Sequence, residues 1–98
     1  MVNKALMVRL EAKPGQEEAV AEFLRSALPL VEQEPGTKPW LAVQFGQSTF
    51  GIVDAFPDDE ARDTHLNGPV GTALGERADE LFAVAPEITY LDVLADKV

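Results

Sequence analysis

The sequence predicts an α+β fold, with a four-stranded antiparallel sheet covered by helices on one face. Two observations carry that prediction. Segments at the start, middle and end of the chain read as strands, while the stretches between them carry apolar residues at three- and four-residue spacing. Clusters of proline and glycine punctuate these segments and leave short connections.

Residues 5–12 place Leu6, Val8 and Leu10 on one side and Met7, Arg9 and Glu11 on the other, the alternation of a strand. Lys13-Pro14-Gly15 breaks it. Glu17 and Glu18 then stand where a helix N-terminus favours negative charge. Val20, Phe23, Leu24, Ala27, Leu28 and Val31 follow as the apolar stripe of a helix of about 15 residues. Pro29 in its last turns predicts a kink or a stop near Ala27.

Residues 40–46 and 49–56 read as two strands joined by a tight turn that includes Gln47 and Ser48. Pairing 45 with 50, or 43 with 50, shifts the register by two and keeps the same faces. Either choice groups Leu41, Val43 and Phe45 with Phe50, Ile52, Asp54 and Phe56. The opposite face then carries Trp40, Ala42, Gln44, Thr49, Gly51, Val53 and Ala55. Neither set is strongly polar, so both faces are expected to be covered. Helices of one small domain cover one; the other calls for a second chain.

Residues 57–66 read as a short helix capped by Asp58 or Asp59. Asn67-Gly68-Pro69 separates it from a second, with Gly68 at the cap and Pro69 at the first helical position. Val70, Ala73, Leu74, Ala78, Leu81 and Phe82 form that helix's apolar stripe, and residues 86–95 alternate as a final strand. With right-handed crossovers, this order gives a ferredoxin-like βαββαβ arrangement.

Ninety-eight residues make a single domain, 1–98. Hydrophobic residues at 46% and charged residues at 26% are globular values that argue against disorder. The absence of cysteine removes disulfides, thiolate nucleophiles and zinc–cysteine sites, and a single histidine removes a multi-histidine metal centre within one chain. A net charge of −9 disfavours nucleic acid and anionic membrane surfaces. The N-terminal apolar run, Ala5–Val8, is too short for a signal-peptide core, and no stretch approaches the ~20 residues of a membrane span. A cytoplasmic protein is expected.

Four stretches resemble the antibiotic-biosynthesis monooxygenase family, and within it the small quinol-monooxygenase-like proteins. They are AKPGQEEAVAEFL after the first strand, EQEPGTKPWLA after the first helix, DAFPDDEA at the end of the third strand, and HLNGPV at the helix break. In the third, Phe56 holds the place of a family tryptophan. The resemblance implies a homodimer whose sheets pack face to face into an α/β barrel, with a small hydrophobic pocket in each subunit. It implies oxygenation of a small aromatic or quinol-type substrate by O2, with no flavin, metal or other cofactor. A haem-degrading branch has asparagine, tryptophan and histidine where this chain has Val8, His65 and Gly75. Val70 stands where many relatives carry a second histidine or a phenylalanine. A dimeric module that binds a small hydrophobic ligand without catalysis is the rival reading.

The candidate catalytic residues are His65 and Asp54. A neutral imidazole could take a phenolic proton and ease electron transfer to O2. The bland alternative puts His65 at a helix end, turned outward and bonded to a terminal carbonyl. Asp54 is the one acid on its strand face, either buried in a pocket or paired with a neighbour such as Arg9. Trp40, Tyr90 and Phe50 are the candidate substrate-binding aromatics, with Phe45 and Phe56 as further possibilities. Gly71 and Gly75 either let their helix approach closely or leave cavity volume. The Asp58-Asp59-Glu60 run reads as a solvated cap.

Overall fold

The computed structural model covers all 98 residues. The alternating segments form β1 (Lys4–Glu11), β2 (Trp40–Gln44), β3 (Thr49–Phe56) and β4 (Glu87–Asp92). The helical spacings form α1 (Glu17–Val31), α2 (Asp59–Leu66) and α3 (Pro69–Leu81). All neighbouring strands are antiparallel, in the order β2-β3-β1-β4. This is the expected ferredoxin-like arrangement, with the two strands that precede the helical crossovers side by side at the centre.

Helix α1 supplies the apolar half of the packing. Val20, Phe23, Leu24, Ala27 and Val31 are buried, meeting Val8 and Leu10 of β1 and Phe50 and Ile52 of β3 in one core. The chain turns into α1 through Gly15, whose φ of 87° suits a residue without Cβ. The helix does not stop near Ala27; it runs through Pro29 to Val31. Proline removes the bond to the carbonyl of Arg25, and both residues lie on the exposed side, where water can serve that oxygen.

One expectation about the sheet is corrected. Gln44 pairs with Phe50, Ala42 with Ile52 and Trp40 with Asp54, so even-numbered residues of β2 share a face with even-numbered residues of β3. The amide of Phe45 donates to the carbonyl of Thr49 at 2.7 Å, leaving a three-residue turn, Gly46–Ser48. Both anticipated pairings differ from this register by an odd number of residues, and such a slip turns a strand over. Trp40, Ala42 and Gln44 therefore face the helices. Leu41, Val43 and Phe45 lie on the opposite face with Met7 and Val53.

That opposite face is bare within the chain. Leu41 and Phe45 are half exposed, Leu91 is exposed at the opposite edge of the same face, and the Arg9 guanidinium lies 5.1 Å above the Phe45 ring. The helices cover one face only, as expected.

Helix α2 is the polar exception among the elements. Asp58 caps it, accepting from the amide of Ala61 at 2.8 Å, and its only buried residue is His65. Gly68 and Pro69 open α3 as the cap and first position.

Candidate active site

His65 occupies the last turn of α2 but does not point out along the helix axis. It is 7% exposed and turns inward, against the end of β3. Its Nδ1 lies 2.5 Å from Glu34 Oε1, and its Nε2 lies 3.0 Å from Asp54 Oδ2. The Phe56 ring packs on it at 5.3 Å between centroids. The outward, carbonyl-bonded alternative is thereby corrected: two carboxylates offer better partners than a helix-end carbonyl.

Each partner is placed by its own local structure. Glu34 follows α1 in a turn where its backbone oxygen accepts from the amide of Thr37 at 3.2 Å. The Thr37 hydroxyl also donates to Glu34 Oε1 at 2.9 Å, fixing the carboxylate toward His65. Asp54 sits on the helix-facing side of β3 and is 1% exposed. Its contact with Nε2 has ion-pair distance without hydrogen-bond alignment, and Oδ1 has no partner in the protein. Arg9 is not that partner; it lies on the other face of the sheet.

Burial alone would lower the pKa of the imidazole. The close carboxylate of Asp54 and the hydrogen-bonded carboxylate of Glu34 outweigh it and raise the pKa above the ordinary 6.5. The ring therefore holds its proton more tightly than a free imidazole does.

His65 stands between two unlike spaces. On one side is an apolar cavity of about 250 Å³ between the sheet and α2–α3. Leu6, Val8, Ile52, Val70, Leu74 and Ile88 wall it, and Asp54 and His65 are its only ionisable groups. On the other side is a polar groove of about 390 Å³ that includes Glu34, Thr37, Asp58 and Thr64. A buried acid–imidazole pair in an apolar wall is the arrangement expected of a site that handles protons or stabilises developing charge.

The aromatic candidates do not join this pair. Trp40 and Phe50 line a separate groove of about 410 Å³ between α1 and β2, although the backbone of Trp40 is paired with Asp54. Trp40 Nε1 is buried there without a partner. Tyr90 is 59% exposed on edge strand β4, with the Arg62 guanidinium 4.8 Å above its ring. Phe45 is on the bare face, and Phe56 alone of the five touches His65. No group of three or more histidine, aspartate or glutamate side chains is placed to hold a metal ion. No helix is long and apolar enough to cross a membrane.

Glu34 is the functional candidate that sequence reasoning missed. No spacing rule links it to His65, 31 positions away. The one available signal was its place as the acid of the Glu-Pro-Gly stretch.

Fold and site together define a small ferredoxin-like protein with an acid–imidazole pair in the wall of an apolar cavity. No protein-family model matches the chain, and no curated protein matches it. A solved structure from Nitrosomonas europaea, described as a protein of unknown function, is 52% identical, with a TM-score of 0.98. The match covers 100% of this chain and 95% of that one, so the chain belongs to the same family as that protein. More distant structures share the fold. One from Caulobacter crescentus, provisionally named an antibiotic biosynthesis monooxygenase, is 18% identical with a TM-score of 0.82, covering 96% and 92% of the two chains. Another of that provisional name, from Nitrosomonas europaea, is 16% identical with a TM-score of 0.83, covering 94% and 90%.

Proposed function

We propose that the protein is a monooxygenase without a cofactor, acting on a small hydroxylated aromatic of quinol type. The observation that supports this most is a buried histidine, held between two carboxylates, in the wall of an otherwise apolar cavity. The provisional names of distant structural neighbours point the same way. The cavity, at about 250 Å³, exceeds the roughly 150 Å³ that holds one benzene ring.

In this reading the substrate hydroxyl donates to Asp54, and the His65 imidazolium stabilises the anion that forms. The electron-rich anion passes an electron to O2, and the substrate radical and superoxide combine. For a quinol, one ring C–H becomes C–OH and the two hydroxyls become carbonyls, so four electrons and a net two hydrogens leave the substrate. One oxygen atom enters the product and the other leaves as water with the two hydrogens. The chain contributes orientation, charge and exclusion of water; the substrate supplies every electron.

Oxygen uptake with a panel of quinols and anthrones tests this. Wild type is expected to turn over at least one compound, and Asp54→Asn to lower the rate by roughly 10²–10⁴-fold. No turnover on any compound would move the protein to the binding-module reading. The protein works in this proposal as a homodimer joined through the bare sheet face, where Leu41, Phe45 and Leu91 are exposed. Light scattering should give the dimer mass; a monomer at micromolar concentration would sink that part.

A further inference from the structure

Two glycines of α3 line the apolar cavity, and they are there for different reasons. A Cβ on Gly71 would collide with the carbonyl oxygen of Leu66, so the close packing of α2 on α3 demands glycine. A Cβ on Gly75 would meet no atom within 4 Å. An interior glycine weakens a helix relative to alanine, and at Gly75 no packing requirement offsets that loss. Gly75 is also exposed, as is Ile88 across from it on β4, whereas Leu6, Ile52 and Val70 are buried. The missing side chain therefore leaves an opening, with Asp54 at the deep end.

The deep end dictates what can enter. Asp54 Oδ1 is a buried acceptor without a partner, which calls for a donor from the ligand. No lysine or arginine lines the cavity. Two carboxyl groups already flank the one imidazole, so an anionic head would find no free positive partner in an apolar surround. The volume is about 1.7 times that of a cavity holding one benzene ring, room for a second ring and not a third.

We propose, building on the ligand site of the preceding section, that Gly75 forms the entrance of the cavity. The ligand it admits is an uncharged one- or two-ring molecule whose hydroxyl donates to Asp54 Oδ1. Gly75 is then a specificity-determining position, since any large side chain there closes the entrance.

The lone histidine supplies the readout, because its two imidazole nitrogens give the only such signals in a ¹⁵N spectrum of the whole chain. The probes are 1-naphthol, naphthalene, 1-naphthoate and 9-phenanthrol. Naphthol is expected to shift the His65 signals saturably and to bind about tenfold or more tighter than the other three. Gly75→Leu should abolish saturable naphthol binding while the spectrum of the free protein stays in place, and Gly75→Ala should keep it. Ile88→Trp, on the exposed rim opposite, is a second way to close the entrance. Equal binding of naphthoate would overturn the charge selection, and equal binding of phenanthrol the size limit. Undiminished naphthol binding by both rim variants would overturn the entrance. Saturable naphthol binding without oxygen uptake on any substrate would refute the monooxygenase and leave this inference standing. Turnover of three-ring anthrones with no naphthol binding would do the reverse.

Discussion

Helices α1 and α2 pack on the same face of the sheet, yet different chemistry fixes them there. Helix α1 buries five apolar side chains, from Val20 to Val31. Helix α2 buries only His65, and its other tie is Arg62, which donates to the carbonyls of Ala5 and Leu91 at 3.3 and 3.2 Å. The first helix is held by area removed from water, which is non-directional and indifferent to pH. The second is held by directional, ionisable contacts that coincide with the candidate site. The contrast teaches that whatever tunes the charge of the cluster also tunes the hold on α2.

That contrast can be broken most forcefully at His65. His65→Ala leaves the carboxylates of Asp54 and Glu34 facing each other without a cation, and should cost roughly 3–5 kcal/mol at pH 7. Leu24→Ala in α1 should cost about 3 kcal/mol through the void it leaves. Urea unfolding at pH 6, 7.5 and 9 separates the two. The deficit of the histidine variant should shrink toward pH 9, while that of the leucine variant stays level. Parallel behaviour would mean that α2 is not held by charge.

The smallest expected effect is in the wild type itself. A folded-state pKa raised above the unfolded value means that His65 binds its proton more tightly when folded. Its contribution is complete below about pH 6.5 and is lost as pH rises through the higher folded pKa. Stability should therefore decline on the alkaline side, and His65→Gln should lack that slope. A wild-type curve that rises above pH 7 would contradict the ion-paired histidine. The groups that face the ring are Asp54 from β3 and Glu34 from the turn after α1, with Phe56 on its flank.

Much of the fold was legible because it is written in local periodicity. The alternation of Leu6, Val8 and Leu10 and the stripe from Val20 to Val31 each name an element without reference to the rest of the chain. The break at Asn67-Gly68-Pro69 was equally legible, since Gly68 and Pro69 have fixed roles at a helix start. The side of β2 that faces the helices was not, because both faces are apolar and only turn length decides between them. Pro29 misled because the cost of proline depends on whether the freed carbonyl reaches water. At the site, His65 could be singled out as the lone histidine and Asp54 as the one acid on its strand face. Their meeting with Glu34 could not, since it joins three segments far apart in sequence.

The turn from Gly46 to Ser48 has one more consequence, which concerns how this chain can drift over generations. Its side chains touch neither the cavity nor the histidine cluster, so substitutions should accumulate there most freely at Gln47, and less so at Ser48, whose hydroxyl donates to Glu11 at 3.2 Å. Its length is another matter, because parity links it to every residue of β2. A single inserted or deleted residue must be absorbed as a bulge, or Trp40 goes to the bare face and Leu41 and Phe45 go under the helices. Among distant descendants of this sequence, the turn should vary in letters and hold its count.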